Sequence, residues 1–257
     1  MLNPRIGEWK GRRVWIIGAS SGIGRSLAEA LVARGARVAV SARNAEALHE
    51  LAAQRPSHVL ALPLDACSGE QLREGLRELV EAWGGVDLAV LMQGTHEPMR
   101  AWDIDAAIAR RLLQVNVESV FESLAVLVPQ LMAQGSGGIA LCSSVAGYRG
   151  LPTSLVYGPT KAALINLAET LWLDLSSRGL GVWLINPGFV RTPLTDRNEF
   201  RMPALISAEE AARHILDGFA SGRFEIHFPK RFTRWLRVLR LLPYGLYFRL
   251  VRRATGL

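Results

Sequence analysis

Val14-Trp15-Ile16-Ile17-Gly18-Ala19-Ser20-Ser21-Gly22-Ile23-Gly24-Arg25-Ser26-Leu27 is the stretch from which the fold can be read. Four apolar, β-prone residues are followed by a glycine-rich turn. The apolar positions after it, Ile23, Leu27 and Leu31, return at helical spacing. A strand that runs through a tight turn straight into a helix is the opening of a βαβ unit. The pattern then repeats. Strand-like runs at Val38–Val40, Val59–Leu62, Val86–Leu91, Gly138–Cys142, Val182–Ile185 and Phe224–Phe228 alternate with helical periodicity at 45–54, 70–83, 108–132, 155–177 and 208–220. Strands separated by helices of this length join through right-handed crossovers into a parallel sheet. The near-continuous apolar strands imply helices on both faces.

Composition agrees. The chain has 257 residues, 49% hydrophobic and 21% charged, which suits one large core. The expectation is an α/β fold with a single doubly wound parallel sheet, Rossmann-like, whose ligands bind at the carboxyl ends of the strands. Two cysteines, Cys67 and Cys142, both read as buried strand ends and form no disulfide framework, which suits a reduced, cytoplasmic protein. His49, His58, His96, His214 and His227 lack metal-ligand spacing, so no metal is expected. No apolar leader begins the chain and no run of uncharged apolar residues is long enough to span a bilayer.

The net charge of +7 is unevenly spread. Residues 229–257 hold eight Lys or Arg and no acid, leaving residues 1–228 at −1. A nucleic-acid-binding body is therefore not expected. The chain divides into a catalytic and dinucleotide-binding domain, 1–228, and a basic C-terminal extension, 229–257. In the extension Phe232, Trp235, Leu236 and Leu239 follow i, i+3, i+4, i+7 spacing, with Arg231, Arg234, Arg237 and Arg240 opposite and a break at Pro243. A basic amphipathic helix bearing Trp points to a membrane surface, with peripheral placement at its inner face. Packing against another subunit or over the active-site mouth are the alternatives.

The chemistry begins at the glycine turn. Gly18, Gly22 and Gly24 let the backbone approach a pyrophosphate, and Ser20, Ser21 and Ile23 carry the turn into a helix N-terminus, whose free N–H groups favour anions. At the end of the second strand, Val40-Ser41-Ala42-Arg43-Asn44 has no acid for a ribose 2′-hydroxyl. Arg43 suits a 2′-phosphate, so NADP is expected over NAD. Asp65, after the third strand, either accepts the adenine amino group or serves the start of the next helix.

Tyr157 and Lys161 stand four apart and share a helix face. A phenol titrates near 10, and a nearby ammonium lowers that value, so Tyr157 can exchange a proton with a substrate oxygen while hydride moves at carbon. Ser144, at a strand end, is placed to hold that oxygen. Pro159 fits only in the first turn of a helix, so the pair lies near the helix start.

The Gly18-x-x-x-Gly22-x-Gly24 loop, Asn116, Ser144, Tyr157-x-x-x-Lys161 and Asn186-Pro187-Gly188 occur in one order, and over about residues 11–228 the chain resembles the short-chain dehydrogenase/reductases. The resemblance implies that Asn116 supports a water-linked proton relay with Lys161, and that Lys161 also contacts the nicotinamide ribose. It implies that Pro187, Gly188, Val190 and Thr192 hold the nicotinamide end, and that the long helices pair across a homodimer or homotetramer. The chain departs from the family at Leu91-Met92-Gln93-Gly94, where an Asn-Asn-Ala-Gly is usual. Gly94 keeps the close approach to the cofactor; the missing asparagine weakens local sheet support.

A loop over the substrate is expected after Thr192, with Pro193, Leu194, Phe200, Met202 and Leu205 making it apolar and Thr95–Trp102 lining the other side. His96 reads as a surface-loop residue, with contact to substrate as the alternative. The expected reaction is hydride transfer between NADP(H) and a small, lipophilic carbonyl or alcohol. A nucleotide-binding sensor or scaffold without turnover would be expected to lose Tyr157 or Lys161. An isomerase on nucleotide sugars has no feature requiring it.

Overall fold

A computed structural model describes residues 2–196 and 202–256. Seven strands form one parallel sheet in the order β3-β2-β1-β4-β5-β6-β7. They are β1 (Arg13–Ile17), β2 (Arg37–Ser41), β3 (Val59–Ala61), β4 (Leu88–Leu91), β5 (Gly138–Cys142), β6 (Gly181–Pro187) and β7 (Glu225–Phe228). Between them lie α1 (Gly22–Val32), α2 (Ala45–Gln54), α3 (Gly69–Trp83), α4 (Ala106–Leu113), α5 (Ser119–Gln134), α6 (Tyr157–Leu175) and α7 (Ala208–Ser221). Two more helices, α8 (Lys230–Arg240) and α9 (Tyr244–Thr255), follow the last strand.

The sheet has two apolar faces because its side chains alternate. Val14 and Ile16 of β1 join α1, α2 and α7 on one side, while Trp15 and Ile17 join α3, α5 and α6 on the other. Leu88 and Val90 against Ala89 and Leu91 in β4 repeat the division. Each such side chain, taken wholly out of water, contributes about 1.5–3 kcal/mol. Trp15 also donates its indole N–H to Ser41 Oγ at 2.9 Å, so a buried polar atom is satisfied across two strands.

Side-chain caps set the helix starts. Asn44 accepts from Ala47 N, Ser68 from Gln71 N, Asp105 from Ala107 N and Ile108 N, and Ser207 from Glu210 N. Helix α1 differs. Its N-cap residue Ser21 makes no side-chain cap and its first turn carries no acid.

Some boundaries differ from expectation. The helix expected at 108–132 runs from Ala106 to Gln134 but contains a π turn at Gln114–Glu118, which holds Asn116. By length and composition this helix could cross a membrane. It is instead a core helix, with Val120, Leu124, Leu127 and Leu131 buried under the sheet. Cys142 ends β5 as expected; Cys67 lies not in a strand but in the half-buried turn before α3. Both thiols are free.

The C-terminal extension packs on the body. Phe232 and Leu236 of α8 join the apolar core on the α6 side, and the Phe232 ring lies 5.6 Å from that of Phe189. The amphipathic set seen in the sequence is therefore split. Phe232, Leu236 and Leu239 are turned inward, whereas Trp235 is 72% exposed. Arg149, from the loop after β5, donates to the carbonyls of Leu239 at 3.0 Å, Arg240 at 3.3 Å and Leu242 at 2.6 Å. Its guanidinium also lies over the rings of Tyr244 and Tyr247. These contacts satisfy the orphan carbonyls at the end of α8 and place α9. Tyr247 donates its hydroxyl to the Gly150 carbonyl.

Candidate active site

The strand order reverses direction between β1 and β4, and the loops after these two strands meet there. Gly18 has φ +95°, and a Cβ on it would fall 2.6 Å from Gln93 N. A Cβ on Gly24 would fall 2.1 Å from the Gly18 carbonyl oxygen, and one on Gly22 2.9 Å from Thr192 Cγ2. Each glycine is thus required by a close approach. Together with the uncapped, acid-free start of α1, they form a cradle open to an anion, which fits a dinucleotide pyrophosphate. A cleft of about 320 Å³ lies alongside, lined by Gly22, Arg25, Arg191, Thr192 and Pro193 and by none of the residues Ser144, Tyr157 and Lys161.

Arg43 is exposed just beyond β2. Asp65 lies in the turn after β3, where its carboxylate accepts the Cys67 N–H at 3.0 Å while Ser68 caps α3. The local turn role foreseen for Asp65 is therefore present.

Ser144, Tyr157 and Lys161 converge from two elements. Ser144 follows β5 and accepts the Ala146 N–H at 3.1 Å, which fixes its hydroxyl at the sheet edge. Tyr157 is the first residue of α6, and the Ser144 hydroxyl is near enough to act on its phenol. Lys161, one turn further on, is buried, with Nζ 5.7 Å from the Tyr157 ring centre. Pro159 sits in the first turn of α6, where its missing N–H costs nothing. Gly147 permits the approach, since a Cβ there would fall 2.6 Å from Lys161 C.

The electrostatics differ from the sequence argument. Burial pushes the Tyr157 phenol well above its ordinary value, opposed by the Ser144 hydroxyl. Lys161 does not produce the expected lowering. Its ammonium donates to the Cys142 carbonyl at 2.9 Å, and burial pulls its own pKa down. Tyr157 in this arrangement is a protonated acid.

Asn116 is fully buried in the π turn. Its amide donates to Thr95 O at 2.9 Å and Thr160 Oγ1 at 3.1 Å, and its Oδ1 accepts the Thr95 N–H at 2.7 Å. The side chain thereby joins the loop after β4 to α6. A Cβ on Gly94 would fall 3.3 Å from Lys161 Nζ and 3.5 Å from Asn116 Oδ1, so glycine at 94 leaves room beside both groups. Gln93 takes up part of the missing support by donating to Ser123 Oγ of α5 at 3.2 Å.

Pro187 ends β6, and Gly188 donates its N–H to Phe228 O at 2.7 Å. Val190 is buried and pairs with Ile206, and Thr192 N–H donates to Thr195 Oγ1 at 3.0 Å. Of the expected substrate loop, Phe200 lies outside the described residues; Met202 and Leu205 are half-buried.

His96 is where the sequence reading was wrong. It is not a surface residue but buried, its ring 4.6 Å from that of Tyr157 and edge-on to it. Its position two residues after Gly94, at the carboxyl edge of β4, was the available signal. Arg149 was missed entirely, because nothing in its neighbourhood marks a distant helix end as its target.

Comparisons with known proteins agree with this geometry. A family model described as short chain dehydrogenase matches residues 12–201. A Myxococcus xanthus protein described as an uncharacterized oxidoreductase is 32% identical, over 96% of this chain and 99% of its own. A match of that breadth runs into the C-terminal extension. A 3-oxoacyl-[acyl-carrier-protein] reductase of Staphylococcus epidermidis is 31% identical over 70% of this chain and 76% of its own. Among solved structures, a Burkholderia phymatum short-chain dehydrogenase/reductase in complex with NAD superposes with TM-score 0.83 at 25% identity, covering 90% of this chain and 94% of that one. The chain is an oxidoreductase of the short-chain dehydrogenase/reductase family.

Proposed function

We propose that the protein moves a hydride between NADP(H) and a lipophilic carbonyl or alcohol, with Tyr157 exchanging the proton. The observation that carries this reading is the meeting of Ser144, Tyr157 and Lys161 at the sheet's carboxyl edge. A substrate oxygen placed between the Ser144 and Tyr157 hydroxyls receives a hydrogen bond from one and a proton from the other. Bound NADPH supplies the hydride, and NADP accepts it in the reverse direction. The upward shift of Tyr157 keeps the proton on the phenol at neutral pH, which suits reduction. Lys161 and Asn116 both lie next to Gly94 and support the relay that reprotonates the phenol. Both amide hydrogens of Asn116 are engaged and its Oδ1 accepts the Thr95 N–H, so Asn116 carries no proton itself and serves the relay by accepting hydrogen bonds and by holding the loop after β4 against α6.

The cofactor contacts follow from the cradle: Gly18, Ser20, Ser21, Gly22, Ile23 and Gly24 at the pyrophosphate, Asp65 at the adenine, Gly94 and Lys161 at the ribose, and Pro187, Gly188, Val190 and Thr192 at the nicotinamide. NADP is favoured over NAD by Arg43 and by the lack of an acid from Val40 to Asn44. The Burkholderia phymatum relative holds NAD, so the assignment rests on this chain's own second strand. A lipophilic substrate accords with the apolar loop after Thr192 and with the similarity to a 3-oxoacyl reductase. Exposed Leu113, Phe121 and Leu173 on α4, α5 and α6 support a homodimer or homotetramer built on these helices.

The test is a panel of lipophilic ketones and aldehydes with NADPH or NADH, followed by loss of the reduced-nicotinamide absorbance. NADPH turnover that disappears in Tyr157→Phe is expected. Undiminished turnover in that variant would overturn the role of Tyr157, and a strong preference for NADH would overturn that of Arg43.

A further inference from the structure

The outer face of the C-terminal helices is the feature that catalysis leaves unused. The inner face of α8 is taken by the body, through Phe232, Leu236 and Leu239. Outward, Trp235 is 72% exposed, Val238 52%, Leu241 82%, Tyr244 70% and Phe248 55%. Arg231 and Arg234 fall among these apolar groups. At about 100° per residue, Arg231, Arg234, Trp235, Val238 and Leu241 lie within one sector of roughly 120°. All eight basic residues of 229–257 are exposed, and the segment has no acid.

We infer that this face docks on the surface of an anionic phospholipid bilayer. Aromatic and aliphatic groups mixed with arginine suit the boundary between headgroups and acyl chains. The rings and Leu241 enter the boundary while guanidinium groups reach back to phosphate. The charge selects this occupant over a second copy of the chain. A two-fold contact through the same face would set Arg231 and Arg234 against their own copies, with no acid in the segment to pair them. An anionic bilayer offers the opposite sign over an extended plane. Docking leaves the fold intact, since the inner face and the Arg149 contacts are unchanged by it. It also sets the lipid about one helix diameter, ~10 Å, from the Val145–Leu151 segment that α8 covers, next to Ser144. The inference stands independently of the reaction assigned above.

The full-length protein is floated with vesicles of phosphatidylcholine alone or with one-third phosphatidylglycerol. Binding to the anionic vesicles, weakened by added salt, is expected, with little binding to neutral ones. Two double variants, Trp235→Ala with Leu241→Ala and Arg231→Glu with Arg234→Glu, each bind about ten-fold less or weaker still. Both keep wild-type circular dichroism and thermal melting, because all four side chains point away from the body. Three results would overturn the inference. One is no wild-type binding to anionic vesicles, and a second is wild-type binding by either variant. The third is a concentration-dependent dimer that the Trp235/Leu241 variant abolishes while vesicles bind nothing, which would assign the face to self-association.

Discussion

The carboxyl edge of β5 and the C-terminal extension lie side by side and are built in opposite ways. At the edge, Ser144, Lys161 and Asn116 are held by short contacts to backbone atoms, Ala146 N, Cys142 O, and Thr95 N and O, around Tyr157. Glycines at 94 and 147 make room for them. Small displacements there change chemistry, and little apolar area is at stake. The extension has few such fixed points. One arginine and one tyrosine hydroxyl anchor α9, Tyr247 is its only buried residue among those described, and its outer surface is apolar and basic. The contrast teaches that rate and stability are separable here. The edge sets what the protein does, and the extension is a layer whose inner face stabilises and whose outer face is free to recognise something else.

The sharpest way to break this comparison is at Tyr157. Tyr157→Phe is expected to lower kcat about 10²- to 10⁴-fold, the usual worth of general acid–base catalysis, with the melting temperature little changed. A large loss of stability would show that the edge is structural after all. Gly24→Val comes next. Its Cβ meets the Gly18 carbonyl, so NADPH affinity should fall about ten- to a hundredfold in a fluorescence titration. Arg149→Ala tests the other side. It removes three charge-assisted bonds at the end of α8 and two ring contacts, and should lower stability by about 1–3 kcal/mol in denaturant melts. Protease cleavage near Pro243 should rise while NADPH affinity holds. The smallest effect is spectroscopic. Because burial raises Tyr157, the cofactor-free protein should release no tyrosinate signal attributable to it up to about pH 10, where a free phenol is half ionised. The difference between wild type and Tyr157→Phe reads this directly. Early ionisation would mean that Lys161 acts on the phenol despite its bond to Cys142.

What could be read from the sequence was whatever depends on local spacing. Glycines at 18, 22 and 24 identify the phosphate turn because a strand precedes them and a helix follows. Pro159 places the start of α6 because proline tolerates only the first turn. Alternation in β1 and β4 gives the two faces of the sheet. What escaped depends on residues distant in the chain. Whether a helix has a π turn at Asn116 is decided by how it seats against Thr95 and Thr160. His96 read as exposed because its neighbours are polar, yet the approach of α6 buries it. The direction of Lys161 depends on a carbonyl from β5 that spacing cannot locate. In the extension, periodicity found an apolar stripe but not that the body would occupy most of it and leave Trp235 outside.

Phe232 ties the extension to the turn after β6. A Cβ on Gly188 would stand 3.1 Å from Phe232 Cδ1 and 3.2 Å from Phe228 O, so glycine is held at 188 by crowding from the chain's own last third and not by its backbone angles. The two positions are therefore epistatic. A larger residue at 188 must displace the Phe232 ring and also press on the Phe228 carbonyl, so trimming the ring relieves only part of the crowding. Gly188→Ala should cost less stability in a Phe232→Leu background than alone.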